Sequence, residues 1–258
     1  MCGIVGVISA AGKSVFKDLA NGAHFLQHRG QAYAGAFLLD PARRTFVLEK
    51  GEGLADDIFK QLGEVRGDVG IAQTRYKTVG RGGRENAQPF YDAVSGIALA
   101  HNGHVTNTAQ IAAELAERGQ ELSSDCDAEA LLRVLAMWRD HFLRLDPGLP
   151  ERELTFSAVR QVLDRVTGAY SALAVTSVGL YAFRDPHGFR PMVRGCRRTE
   201  GGGSVMIASE SIALEQNGFE VDEDVPAGSV VRVDRDLSVH REALVGAEPL
   251  PCAVALVS

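Results

Sequence analysis

The sequence predicts an α+β fold in which most strands pair antiparallel within one domain. Short apolar stretches typical of strands recur along the chain and are separated by helical patterns. Two stretches, 34–39 and 45–50, are joined by Asp40-Pro41-Ala42-Arg43-Arg44, which is the pattern of a hairpin. No period of roughly 20–50 residues repeats, and no shift in composition marks a boundary, so neither a solenoid nor two domains are predicted.

Strands are predicted where apolar residues run between turn-forming residues. Predicted strands are most frequent in the N-terminal third and in the last third of the chain, and helical patterns separate several of them. In chain order the predicted strands cover residues 2–9, 34–39, 45–50, 69–73, 96–101, 170–176, 179–184, 205–209, 229–234 and 238–240.

Helices are predicted where apolar residues recur at a spacing of three or four. Leu19, Ala23 and Leu26 mark one face of a helix over roughly 13–28, and Thr106 and Asn107 can cap a second helix. Further helices are predicted at about 127–144, around 159–166 and near 210–217. Loops are predicted at 146–150 and 199–204.

Composition and charge exclude several classes of protein. The 258 residues include 27 Lys and Arg against 33 Asp and Glu, so the formal net charge is −6. This chain lacks the excess positive charge that nucleic-acid binding or a polybasic membrane anchor requires. No apolar run approaches the roughly 18–20 residues of a membrane-spanning helix. The four cysteines are too sparse for a disulfide scaffold, and we expect a cytoplasmic protein with reduced thiols.

Cys2 is the first candidate for chemistry, because removal of the initiator methionine before a small residue would make it the N-terminus. A terminal cysteine carries a thiol and an α-amine close together. The ordinary pKa values are about 7.7–8.0 for the amine and about 8.5 for the thiol, so the amine can act as general base near neutral pH. From position 2 alone, a small residue that opens a buried strand is the simpler interpretation.

Seven further segments change that interpretation, because they follow one another in a recognisable order. They are residues 26–31 with Gly35, 75–80, 85–90, 101–107, 124–129, 183–191 and 208–211. Together with Met-Cys-Gly-Ile at the start, they resemble the class II glutamine amidotransferase (glutaminase) domain of the N-terminal-nucleophile hydrolases. The glutaminase half of the amidophosphoribosyltransferases is the most similar member. The resemblance covers 2–253, which we expect to form one glutaminase domain followed by a tail at 254–258.

The resemblance implies a four-layer αββα sandwich, in which two antiparallel sheets pack face to face between helical layers. It also implies a reaction in which glutamine and water give glutamate and ammonia through a glutamyl thioester on Cys2. No metal or organic cofactor is expected.

The resemblance assigns roles to polar residues that this chemistry needs. Asn102 and the backbone N–H of Gly103 match the oxyanion hole, which stabilises the negative charge that develops on the amide oxygen. Arg75 matches the residue that binds the α-carboxylate of glutamine, since a guanidinium can bind it with two hydrogen bonds. Asp127 matches the residue that binds the α-ammonium, although the neighbouring Asp125 is an alternative.

Further residues are expected around the nucleophile and the substrate. Arg29 and Gly30 match a segment beside the nucleophile, and Thr78 matches a residue next to the glutamine site. The glycine-rich segment 80–85 matches a mobile lid, or it is a plain hairpin loop. The remaining polar candidates are expected to be structural or inert, and they are His28, His101, His104, His187, Cys126, Cys196 and Cys252.

The chain departs from the amidophosphoribosyltransferases because it carries no motif for phosphoribosyl pyrophosphate. We therefore expect a stand-alone amidotransferase subunit that passes ammonia to a separate synthase or transferase, of glutamate synthase type or specific to one amidation pathway. The face near the lid and the apolar tail are candidate docking surfaces. A chain divided at a domain boundary would end at about the same place, so that interpretation stays open.

Two other functions remain as alternatives. One is a non-catalytic, glutamine-sensing regulatory subunit, which would be expected to lack a catalytic residue. The other is a different N-terminal-nucleophile amidohydrolase, which would have no use for paired recognition of an α-carboxylate and an α-ammonium.

Overall fold

Two antiparallel sheets lie face to face at the centre of the computed structural model, which describes residues 1–10, 12–63, 65–76, 83–200 and 202–246. The strands within these residues are β1 (Gly3–Ser9), β2 (Tyr33–Asp40), β3 (Thr45–Glu52), β4 (Val69–Arg75), β5 (Phe90–Asp92), β6 (Ile97–Val105), β7 (Gly168–Thr176), β8 (Gly179–Arg184), β9 (Val193–Thr199), β10 (Gly202–Ala208), β11 (Glu220–Asp224), β12 (Ser229–Asp234) and β13 (Val239–Ala243).

Helices cover the outer face of each sheet. The described residues form α1 (Phe16–Phe25), α2 (Ala55–Phe59), α3 (Thr108–Ala116), α4 (Asp127–Leu145), α5 (Glu151–Arg165) and α6 (Ser211–Glu215), with short 3-10 turns at Gln27–Arg29, Lys60–Leu62 and Arg84–Asn86. None of the helices in these residues is long and apolar enough to cross a membrane.

The strand order places β1 at the centre of the first sheet and β6 beside the edge strand β5 of the second. The first sheet runs β11-β9-β10-β1-β4-β2-β3, and the second runs β13-β12-β8-β7-β6-β5. Every described strand pair is antiparallel. β1 therefore has β10 on one side and β4 on the other, which fixes the position of the residues that precede it.

Alternation along the strands builds three apolar layers, because successive side chains point to opposite faces. On β1, Ile4 and Ile8 join the core between the two sheets, whereas Val5 and Val7 pack under α1, α2 and α6. On β6, Leu99 faces α3, α4 and α5. The expected αββα sandwich is thereby confirmed.

Strand β6 of the second sheet is longer than the sequence pattern indicates. The predicted strand 96–101 continues as β6 to Val105, so Asn102 and Gly103 lie within a paired strand rather than in a turn.

The predicted cap of helix α3 is correct in position only. Asn107 stands before α3 but makes no capping bond, because its side chain binds the Arg165 carbonyl and the Thr167 N–H.

β5, β9, β11 and α2 were not predicted. β9 and β11 carry charged residues on a partly exposed face, and β11 has the sequence EVDED. β9 forms because it pairs with β10, and β11 forms because it pairs with β9; Arg194 of β9 lies 3.2 Å from Glu223 of β11. The predicted tail at 254–258 and the end of the predicted domain lie outside the described residues.

Candidate active site

The start of β1, the ends of β4 and β6 and the beginning of α4 converge on the predicted site. Ile4 of β1 pairs with Gln73 of β4. The Gln73 side chain then crosses to the second sheet, where its Nε2 donates to the His101 carbonyl at 2.8 Å. This buried bond ties the segment that carries Asn102 to the strand that follows Cys2.

Arg29 holds the main chain of the predicted nucleophile. Its Nε donates to the Cys2 carbonyl at 2.8 Å, and its Nη1 forms an ion pair with Glu210. Glu210 also lies 2.9 Å from His28 Nε2. Because the Arg29 side chain is buried and paired, it fixes the backbone beside Cys2. The Cys2 side chain is partly exposed, and Met1 contacts Arg190 through its sulfur.

Gly30 is required by the close approach of two chain segments. A Cβ at this position would overlap the backbone carbon of Arg75 and lie 2.6 Å from the Tyr76 nitrogen. The Gly30 carbonyl accepts a hydrogen bond from Gln27. The 3-10 turn that presents Arg29 therefore packs directly against the end of β4.

Asn102 presents a buried hydrogen-bond donor with no acceptor among the described residues. Asn102 is 1% exposed, and its Nδ2 finds no partner there. A buried amide left unpaired is unfavourable unless a ligand pairs with it. Next to it, a Cβ on Gly103 would collide with the Ala169 carbonyl and lie 2.5 Å from Tyr170 Cα, so only glycine fits against β7.

Arg75 is half-buried at the end of β4 and is held from one side. Its Nη1 donates to the Asn86 carbonyl and lies 3.0 Å from Cys126 Sγ. Burial lowers the pKa of Arg75, but interactions with Cys126, Cys2 and Asp127 outweigh burial and raise it. The guanidinium therefore stays charged, and Cys2 lies near enough to affect it.

Asp127, the first residue of α4, has one oxygen fully engaged. Its Oδ2 accepts from the Val105 N–H at 2.8 Å and lies 3.2 Å from His101 Nε2 and 3.6 Å from His104 Nδ1. Burial raises the pKa of Asp127, but interactions with His101, the Val105 N–H and His104 outweigh burial and lower it well below its usual range. By contrast, the alternative Asp125 is exposed.

Cys126 lies between the two predicted glutamine-binding residues, a position that its place in the sequence did not indicate. Its Sγ is 3.0 Å from Arg75 Nη1, 3.6 Å from Gln88 Nε2 and 3.8 Å from Asp127 Oδ1. Burial raises the pKa of Cys126, and Asp127 adds to the effect. The group remains a thiol near neutral pH, so it acts here as a small buried contact residue.

Glu129 orders the loop that leads into α4, and sequence reasoning gave it no role. Its carboxylate accepts from the Ser123 N–H, the Ser123 hydroxyl and the Ser124 hydroxyl at 2.7–3.1 Å. In a capping box the glutamate would bond the N–H of the N-cap residue. The N-cap of α4 is Cys126, which makes no side-chain cap bond, so the contacts of Glu129 with Ser123 and Ser124 are not the pattern that a sequence signals.

Thr78 and residues 80–82 of the predicted lid at 80–85 lie outside the described residues. In the described part of the segment, Arg84 lies 3.0 Å from Glu49. In the part of the chain that the structure describes, no group of three His, Cys, Asp or Glu side chains could hold a metal ion.

Comparison with protein families matches residues 74–216 to a model described as "Glutamine amidotransferase domain". The matched range includes Arg75, Asn102, Gly103 and Asp127. It begins after Cys2.

Curated relatives extend the similarity over almost the whole chain. The amidophosphoribosyltransferase of Pasteurella multocida (strain Pm70) is 40% identical over 240 residues, which are 90% of this chain and 46% of that protein. The amidophosphoribosyltransferase of Escherichia coli (strain K12) is 36% identical over 92% of this chain and 47% of its own length. The chain thus spans about half the length of the curated relatives it matches.

Solved structures agree with the fold. The glutamine phosphoribosylpyrophosphate amidotransferase of B. subtilis superimposes with a TM-score of 0.77 at 27% identity, covering 95% of this chain and 49% of that one. A glutamine aminotransferase class-II domain protein from Silicibacter pomeroyi has a TM-score of 0.59 at 14% identity, covering 94% of this chain and 99% of that one, and shows the fold alone.

Proposed function

This chain belongs to the glutamine amidotransferase domain family, and from that membership we propose that it hydrolyses L-glutamine to L-glutamate and ammonia through a glutamyl thioester on Cys2. One observation carries the proposal. The Arg75 guanidinium and the Asp127 carboxylate both lie against Cys126 Sγ, at 3.0 and 3.8 Å. A cation and an anion held next to the same buried residue suit the α-carboxylate and α-ammonium of a free amino acid.

The proposed nucleophile becomes active when Met1 is removed. The new α-amine of Cys2 then takes the thiol proton while the sulfur attacks the side-chain amide carbon of glutamine. Arg29, which donates to the Cys2 carbonyl at 2.8 Å, keeps this terminus in place, and Gly30 lets its turn approach β4.

The tetrahedral intermediate places negative charge on the former amide oxygen. We assign the unpaired Nδ2 of buried Asn102 and the backbone N–H of Gly103 as the donors to that oxygen. Donors fixed in advance are effective because they need no reorganisation as the charge develops.

Collapse of the intermediate breaks the carbon–nitrogen bond. The protonated amine of Cys2 gives its proton to the leaving nitrogen, which departs as ammonia, and a thioester remains on the sulfur. Water then attacks the thioester with the amine as base, and glutamate and the free thiol are released. Arg75, Asp127 and Thr78 are proposed to hold the substrate through both steps.

We assign residues 2–253 to the glutaminase domain. The ammonia is proposed to pass from this domain to an acceptor site outside it. We place that acceptor on a separate synthase or transferase, of glutamate synthase type or specific to one amidation pathway. A large increase in the glutaminase rate when the acceptor protein is added supports this part. An unchanged rate and no binding to proteins encoded beside this chain would contradict it.

The hydrolysis itself is tested by assaying glutamate and ammonia release from L-glutamine with Met1-processed protein. The Cys2→Ser variant keeps a small second residue, so methionine removal continues, but it exchanges the thiol for a weaker nucleophile. We expect hydrolysis to fall below detection in Cys2→Ser and to stay at the starting level in the control Cys196→Ser. An equal loss of hydrolysis in both variants, or no loss in either, would count against Cys2 as the nucleophile.

A further inference from the structure

Gln88 and His101 form a buried pair beside the predicted glutamine site. Both are 2% exposed. The Gln88 Oε1 accepts from the backbone N–H of His101 at 2.7 Å, and the Gln88 Nε2 lies 3.1 Å from His101 Nδ1. One amide side chain therefore meets both the main chain and the ring of the same histidine.

This arrangement determines which ring nitrogen of His101 carries the proton. The backbone N–H can only donate, so the oxygen of the Gln88 amide must face it. The amide NH₂ then faces Nδ1, and because an amide nitrogen donates and does not accept, Nδ1 must be the accepting nitrogen. The proton of the neutral imidazole is thereby placed on Nε2.

The protonated Nε2 faces Asp127. It lies 3.2 Å from Oδ2, the oxygen that the Val105 N–H also binds at 2.8 Å. Despite this distance, Nε2 makes no well-formed hydrogen bond among the described residues. Contacts of this kind often tighten when a ligand binds. Oδ1 is turned towards Cys126, on the side of Arg75.

We propose that His101 is a positioning residue for substrate recognition: Gln88 fixes its Nε2–H tautomer, and that N–H holds Oδ2 of Asp127 so that Oδ1 meets the α-ammonium of glutamine. This inference rests on the proposed function and adds to it the device that orients the ammonium-binding carboxylate. His101 takes no part in proton transfer at the thioester, because both ring nitrogens already face protein groups.

Two substitutions of similar size distinguish this role from a merely structural one. In His101→Gln, the side-chain amide can place an N–H near the position that Nε2 occupies in the histidine. In His101→Asn, the shorter side chain places its amide only near the position of Nδ1. We expect His101→Asn to raise KM for glutamine about tenfold, the effect of one lost hydrogen bond to a charged group, with kcat within about threefold of the unsubstituted enzyme. His101→Gln should keep KM within about threefold.

Alkylation of Cys2 by iodoacetamide, located by peptide mapping, provides the control. It should proceed at the same rate in both variants, since it does not use the α-ammonium site. Equal KM values in the two variants, or a loss confined to kcat, would overturn the inference. Absence of glutamine hydrolysis in the unsubstituted enzyme would instead overturn the proposed function.

A direct measurement of the tautomer keeps the inference testable if His101→Asn does not fold. Nitrogen-15 NMR of histidine-labelled protein, with the His101 signals assigned by their absence in His101→Gln, should show a protonated Nε2 and an unprotonated Nδ1 near neutral pH. A protonated Nδ1 would contradict the assignment.

Discussion

Arg75 and Cys126 are in direct contact, with Nη1 of the guanidinium 3.0 Å from the thiol sulfur. The contact joins the end of β4 to the residue before α4, and it brings the guanidinium to the same side as Asp127 Oδ1. The pair therefore sets the spacing between the cation and the anion that we propose for binding glutamine. The predictions below follow from this arrangement.

Arg75→Lys should impair glutamine binding even though the substitution keeps the positive charge. Lysine keeps the positive charge but loses the planar pair of donors that binds a carboxylate with two hydrogen bonds. We expect KM for glutamine to rise at least about tenfold while kcat changes less, since the contact exists before and during the reaction. Arg144→Lys, an exposed change at the end of α4, serves as the control in the same steady-state assay. An unchanged KM would remove Arg75 from the substrate site.

Asn102→Asp tests the oxyanion donor with almost no change in volume. The substitution replaces the buried Nδ2, which has no acceptor among the described residues, by an oxygen that cannot donate when ionised. We expect kcat for glutamine hydrolysis to fall about 10²–10³-fold with little change in KM, because the lost interaction belongs to the transition state. A fall in kcat of less than about tenfold would show that Asn102 does not serve as this donor.

Gly103→Ala should destabilise the fold as well as the site. The added Cβ would collide with the Ala169 carbonyl, so β6 could pair with β7 only after displacement. We expect the free energy of unfolding in urea to fall by about 1–3 kcal/mol, the range typical of overpacking. Gly148→Ala is the matched control, since a Cβ there meets only Asp146 Oδ1 at 3.4 Å. Equal stability of the two variants would contradict the close packing at Gly103.

Asp127 should make the stability of the protein depend on pH in the acid range. Its pKa is lower in the folded state than its ordinary value of 3.8, so the unfolded chain takes up a proton first. Its contribution to stability is therefore complete above the unfolded pKa and is lost as pH falls through the folded pKa. The free energy of unfolding should fall more steeply between about pH 5 and pH 3 in the unsubstituted protein than in Asp127→Asn. Parallel curves would contradict the lowered pKa.

The fold was predictable from the sequence because local patterns and pairing agree in most elements. The hairpin of β2 and β3 and the apolar run of β1 are visible in the residues themselves. β9 and β11 were missed because their charged residues hide the apolar pattern. β9 is a strand because it pairs with β10 and β11, and β11 because it pairs with β9. The extension of β6 through Asn102 likewise depends on β7, which lies more than 60 residues further along the chain.

The candidate site was predictable in its residue types but not in its internal contacts. Arg75 and Asp127 could be singled out because they match the residues that bind the two charged groups of glutamine in the family that the sequence resembles. Cys126 and Gln88 could not, since a buried thiol and a buried amide acquire their roles only from neighbours that folding supplies. Thr78 stays a prediction, as it lies outside the described residues.

The central claim is that Cys2, freed of Met1, is a nucleophile selective for glutamine. The most direct test is the intact and peptide-mapped mass of the protein after incubation with a glutamine-mimicking diazoketone. We predict loss of Met1 and a single adduct on Cys2, which excess glutamine prevents. Retention of Met1, or labelling spread over the other cysteines and insensitive to glutamine, would contradict the account.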